Sequence, residues 1–294
     1  MPVILKNSQL ELHLNLPDET YNATRFDYTG KIIKLVYQNI LLSGSESLDL
    51  KKDTFLGKGF YNEFDIDQPF NFTNTAIGDW FHKIGVGLLQ KTEDSYFFHK
   101  IYQKKSLSFK VNFTESKICL ECISPVINGC AYILKKEIVL LDSGFCINYH
   151  LENTGDKEIV STEYAHNFLA FNNDLIGSDY VLKFPFEIKP ELFKETLNTE
   201  KKVTIEKHHI RFNGTPNTDF FFSNLSGNQW VRAQWELINT KHNIGIRETG
   251  DFKTNKINLW GVQHVICPEL FYHINLKQGQ SQEWSRTYDV FKAT

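Results

Sequence analysis

The chain has 294 residues, 41% of them apolar, enough for one sizeable core. Thirty-two Lys and Arg against 35 Asp and Glu leave a net charge of −3, so no field of one sign exists to hold nucleic acid or an anionic membrane. An odd count of five Cys argues against a disulfide framework. The opening residues do not fit a signal peptide, and no later run reaches membrane-spanning length, so the expectation is a cytoplasmic protein with reduced thiols. Sequons such as Asn71-Phe72-Thr73 are then chance matches.

Period-two alternation runs through most of the chain, and 24 Phe with 12 Tyr suit the half-buried pleated surface of a sheet. In chain order, strands are expected at 31–37, at 107–113, where Leu107, Phe109, Val111 and Phe113 share a face, and at 118–123 and 131–140. The next, 145–152, stops at the turn residues Asn153-Thr154-Gly155. The stretch 190–200 has room for one short helix at most. Further strands are expected at 205–212, 219–223, 231–238, 262–266, 270–276 and 284–291. No linker, repeat or shift of composition divides the chain. Residues 1–294 therefore read as one all-β domain, a large antiparallel sandwich.

Two segments carry candidate chemistry. In Ser161–Asn172 a histidine, His166, lies among Tyr164, Phe168 and Phe171. An imidazole with an ordinary pKa of about 6.5 can give and take protons near neutrality, although a histidine satisfied in the core has the same surroundings. In Leu259–Glu269 a strand is expected to end at Cys267-Pro268 and leave the Glu269 carboxylate at its mouth, either as a base or as an ordinary strand-end glutamate. Trp80 and Trp260 are candidate stacking rings for a flat ligand or core residues. Cys119-Leu120-Glu121-Cys122 has no second Cys pair and no following helix, and reads as strand rather than as a redox or zinc motif. His208 and His209 would face opposite sides of one strand, which keeps them from one metal. Gly85-Val86-Gly87 lacks the context of a nucleotide fingerprint and reads as close-packed strand. No metal or cofactor is expected.

The HNF-type strand His166-Asn167-Phe168 is followed about a hundred residues later by the Glu269 carboxylate. A closing hairpin, Leu276-Lys277-Gln278-Gly279 leading to Tyr288-Asp289-Val290-Phe291, comes next. With the opening Thr24-Arg25-Phe26-Asp27-Tyr28-Thr29-Gly30 turn, this order resembles the galactose mutarotase-like (aldose 1-epimerase) superfamily along nearly the whole chain. The resemblance implies a β-supersandwich of the galactose mutarotase-like type. It implies aldose 1-epimerase-like isomerase activity on a free aldose or related sugar without a cofactor, with His166 as general acid on the ring oxygen and Glu269 as general base on the anomeric hydroxyl. It also implies sugar contacts from His82 and Asp219 and from the segment holding Glu63 and Lys83. There the sequence departs from the family: its Asn-Arg pair is Asn62-Glu63 here and its His-Gly-Gly is His82-Lys83-Ile84, so Glu63 and Lys83 have the alternative of an ion pair. The sequence has no clear Arg cluster for a sugar phosphate, although Arg25, Lys83 or Arg247 could be recruited. A non-catalytic carbohydrate-binding or regulatory protein is the rival reading on the same scaffold. An oligosaccharide hydrolase or lyase is a third, for which Glu163 and Glu269 would form the carboxylate pair.

Overall fold

The computed structural model describes residues 2–293 apart from residue 18, with the side chain of residue 50 also outside the description; of the expected 1–294 domain, residues 1, 18 and 294 thus lie outside the described residues. Two ten-stranded antiparallel sheets dominate. The first runs, edge to edge, Val3–Lys6, Leu10–Asn15, Lys31–Tyr37, Phe60–Phe64, Ile159–Asn167, Val265–Leu276, Ile257–Val262, Phe220–Phe222 and Thr196–Leu197, with Ile40–Leu41 beside Lys31–Tyr37. The second runs Val203–Ile205, His209–Phe212, Tyr180–Lys183, Val231–Asn239, Ile244–Thr254, Ser281–Lys292, Gly144–Asn153, Tyr132–Leu140, Lys117–Ile123 and Ser108–Phe113. A small third sheet joins Trp80–Lys83, Gly87–Gln90 and Lys104–Ser106. Helix among the described residues is confined to two short 3-10 turns, Leu50–Lys52 and Pro190–Leu192, the latter in place of the helix allowed at 190–200.

The core between the large sheets collects Leu12, Leu35 and Phe60 from the first with Ile118, Leu134, Ile147 and Trp235 from the second. Alternation works as expected here: Tyr132–Leu140 and Gly144–Asn153 bury every other residue and turn the rest to solvent. The middle of the first sheet differs, because a second aromatic cluster built on Tyr21, Phe26, Tyr61, Phe81 and Phe168 covers its other face. Phe60–Phe64 is accordingly buried at all five positions and shows no alternation.

Three boundaries differ from the sequence expectation. The strand expected at 205–212 is a hairpin, with His208 in its turn and its Nδ1 on the Phe186 carbonyl at 2.7 Å. Gly85-Val86-Gly87 is no continuous strand. It turns Trp80–Lys83 into Gly87–Gln90, and a Cβ on Gly85, at φ +72°, would stand 2.2 Å from Asp27 Oδ1. The segments 262–266 and 270–276 fall in one hairpin, whose two-residue turn Gln263-His264 carries neither Gly nor Asn to announce it. Val265–Leu276 then runs unbroken through Pro268, so Glu269 is inside a strand and not at its end.

Candidate active site

Pro268 is tolerated in a central strand because the ladder there is open. Val265–Leu276 pairs with Ile159–Asn167 up to Tyr164 opposite Phe271, and resumes at Leu169 opposite Ile266. Between these points side chains close the gap from beneath: Asn167 Nδ2 donates to the Pro268 carbonyl at 2.8 Å, and Arg286 Nη2 to the Leu270 carbonyl at 2.9 Å. The register carried across the gap sets His166 opposite Glu269. Tyr61 lies beyond His166 on one side and Asn258 beyond Glu269 on the other. One row of four residues thus crosses four strands on the face away from the core, and cross-strand neighbours on one face touch.

His166 Nε2 and Glu269 Oε1 are 3.4 Å apart, both side chains are 5% exposed, and both line a cleft of about 1030 Å³. The imidazole is held by rings. Phe168 stacks on it at 4.2 Å and 7°, and Phe26 and Trp260 present edges. Gly57 leaves room for this stack, since a Cβ there would lie 2.4 Å from the Phe168 ring. His166 Nδ1 is buried without a hydrogen-bond partner. Burial, and secondarily Arg25, push the His166 pKa well below 6.5, so the ring is neutral at pH 7. Burial also raises Glu269 to about 7, against the opposing pull of Arg25 and a hydrogen bond from Asn258. In this pair the carboxyl group holds the proton below about pH 7, with the neutral imidazole beside it as acceptor.

Among the sequence-derived contact residues the structure separates two groups. Asp219 is exposed on the cleft wall. His82 is fully buried away from the cleft. Its Nε2 donates to the Pro125 carbonyl at 3.0 Å, its Nδ1 accepts from Asn71 Nδ2 at 3.2 Å, and Phe70 stacks on its ring. With both nitrogens used it has nothing left for a sugar. Glu63 and Lys83 are likewise fully buried and take the ion-pair alternative at 3.3 Å, with Lys83 Nζ also on the Asp65 carbonyl. Glu63 nevertheless serves the cleft at one remove. Its Oε2 accepts from Arg25 Nε at 2.8 Å and from the Tyr164 hydroxyl at 2.6 Å, so Arg25 takes the cleft position. Arg25 was legible only as a spare cation, because nothing local ties residue 25 to residue 63.

The other segments settle simply. Trp260 lines the cleft, whereas Trp80 lies under Lys105. Glu163 points to the opposite face of its strand, where Arg286 holds it at 2.6 Å, so the Glu163–Glu269 carboxylate pair does not form. Arg247 pairs with Glu236 on the second sheet. All five Cys are free, and no cluster of three or more potential metal ligands occurs among the described residues. Among the described residues no helix is long and apolar enough to cross a membrane.

Comparison with solved structures agrees with this architecture. The chain superposes on the Slr1438 protein of Synechocystis sp. PCC 6803 with a TM-score of 0.61 at 12% identity, over 99% of this chain and 96% of that one. It superposes on a galactose mutarotase-like protein from Lactobacillus casei with a TM-score of 0.60 at 12% identity, over 99% and 100%. The GalM/aldose epimerase homologue from C. elegans gives 0.57 at 13% identity, over 100% and 99%. No protein-family model and no curated protein sequence matches the chain. The protein has the galactose mutarotase-like fold.

Proposed function

We propose that the cleft interconverts the α and β anomers of a free reducing sugar, an aldose 1-epimerase-type isomerisation. The observation that carries this reading is the His166–Glu269 pair, two titratable groups 3.4 Å apart on neighbouring strands at the cleft floor. Anomerisation needs a proton taken from the anomeric hydroxyl and one given to the ring oxygen. These two oxygens share one carbon, so the acid and the base must stand side by side. In the reaction the shared proton passes from the Glu269 carboxyl to His166 Nε2; the ionised Glu269 then takes the O1 proton while the His166 imidazolium delivers its proton to the ring oxygen, and the C1–O5 bond opens to the aldehyde. After rotation about C1–C2, attack by the O5 hydroxyl on either face of C1 closes the ring and returns both protons. The pair needs one shared proton per cycle and no cofactor.

The charge of the wall favours a neutral sugar. Arg25 is tied to Glu63, and Lys256 to Asp67 at 2.6 Å, while Lys194 is outnumbered by Glu46, Glu195 and Asp219, which also line the cleft. Asp219 supplies a hydroxyl acceptor in this reading, and nucleic acid and membrane lie outside it. A site that only bound sugar would have no use for two titratable groups held in contact out of water, which is what sets the isomerase reading above the binding-protein rival.

The experiment is to follow freshly dissolved α-anomers of several aldoses by polarimetry or NMR. The protein should speed the approach to anomeric equilibrium without moving the end point. Glu269→Gln and His166→Asn should each lower the rate roughly 10²–10⁴-fold in a folded protein. Sugar binding without acceleration in the wild type would reject catalysis.

A further inference from the structure

We infer that the cleft has a second, aromatic subsite at Trp230 and His273, and that the sugar anomerised is the reducing end of a longer saccharide; this rests on the isomerase reading above. A single pyranose accounts for only the floor around His166 and Glu269. The cleft, at about 1030 Å³, stands at the upper end of the range of roughly 300–1,000 Å³ that encloses much larger ligands. Its direction is set by Val265–Leu276. Glu269, Phe271 and His273 alternate onto one face, so His273 lies roughly 13 Å beyond Glu269 along the strand. That is farther than one sugar ring reaches.

Beside His273 at that far end, just outside the cleft lining, stands Trp230, with 59% of its surface exposed and its ring centroid 5.5 Å from the ring of His273. An indole this exposed adds little to the core, and its flat apolar face suits the C–H face of a pyranose. The polar groups beside it are of the kind that reads hydroxyls. Asn228 and Asn255 line the cleft here, and Asn255 Oδ1 is 2.8 Å from His273 Nε2. The loop carrying Asn228 is fixed before any ligand arrives. Asn224 and Asn228 both hold φ +64°, and the Asn228 amide donates to Asn224 Oδ1 at 3.1 Å. Asn224 in turn is tied to Asn258, the residue opposite Glu269 in the ladder, through its amide on Asn258 Oδ1 at 3.2 Å. Both subsites therefore belong to one continuous wall. Neutral amides and an indole, beside a Lys256 already tied to Asp67, describe an uncharged oligosaccharide rather than a phosphorylated sugar.

The test compares reducing trisaccharides of differing linkage (α-1,4 and β-1,4 glucans, a β-1,3 glucan and a β-1,4 galactan) with glucose and galactose. One set of measurements follows anomerisation by NMR, and another follows binding by tryptophan fluorescence. We expect at least one trisaccharide to show kcat/KM about tenfold or more above the monosaccharides. Trp230→Ala should remove most of that advantage through KM, on the scale of one lost stacking contact. Equal kcat/KM for all sugars, or an advantage that survives Trp230→Ala, overturns the second subsite while leaving anomerase activity intact. Trisaccharide binding that quenches wild-type but not Trp230→Ala fluorescence, with no acceleration of any sugar, supports the subsite and rejects the isomerase reading instead.

Discussion

The strand stretches 163–167 and 265–271 are buried on both faces and carry ionisable groups on both, yet the two faces handle charge in opposite ways. On the core side Arg286 bridges Glu163 and Glu248 at 2.6 Å each. Glu248 also accepts from Trp235 Nε1 at 2.7 Å and from Asn167 Nδ2 at 2.8 Å, and Asn62 carries the network on to Lys136 and Asp27. Every carboxylate oxygen of Glu163, Glu248 and Asp27 has a donor, although the neighbouring Tyr149 hydroxyl has no partner. On the cleft side, His166 Nδ1 and the Tyr61 hydroxyl are buried without partners, and Glu269 is pushed to about 7. Full satisfaction suits charges that hold the strands together, and incomplete satisfaction suits groups that a ligand would complete, as the proposed function requires.

The sharpest way to break this contrast is to remove the core-side cation. Arg286→Met leaves Glu163 and Glu248 unpaired in the interior and should cost about 3–5 kcal/mol, read as a lowered midpoint in chemical denaturation. The cleft side should respond with the opposite sign. Because Glu269 has its pKa raised from 4.5 to about 7 on folding, the folded state binds this proton more tightly, and stability falls as pH rises through that window. Glu269→Gln should therefore make the protein more stable than wild type at pH 8, by about 1–3 kcal/mol, with no difference near pH 4. Asp65, raised to about 7 by burial, gives both proteins a slope of the same sign, so the difference between their denaturation curves is the measurement. A destabilised Glu269→Gln at pH 8 would place Glu269 with the structural charges.

Smaller effects sharpen the same line. The rate of anomerisation should fall as pH rises through about 7, where the pair loses its shared proton. It should hold down to well below pH 6.5, where His166 first gains a second one. A rate flat from pH 6 to 9 would separate the chemistry from this pair. Asp219→Ala, at an exposed position, should change stability by less than about 0.5 kcal/mol while raising KM more than it lowers kcat.

Much of the second sheet was legible in the sequence because its strands turn one face to water. Lys117–Ile123 and Val231–Asn239 were found within a residue at each end. The first sheet was harder for a physical reason. Phe60–Phe64 and the Val265–Phe271 stretch are covered on both faces and lose their alternation, and Pro268 mimics a strand end because its ladder partner is an asparagine side chain. For the site, His166 and Glu269 came from a likeness in order, and their contact depends on a register that no local pattern encodes. His82, Glu63 and Lys83 show the converse. A likeness in position was present, but their hydrogen-bonding capacity is spent inside the protein.

The register across the gap has a further consequence for how activity arises. His166 and Glu269 are about a hundred residues apart in the chain and meet only when the two central strands pair, a slow and entropically costly long-range closure. No hairpin forming earlier contains both. Refolding from denaturant should therefore restore catalysis only in the phase that closes the sheet, after any burst of local structure. Under the proposed function no partly active intermediate is expected: a molecule whose central strands are out of register should be silent.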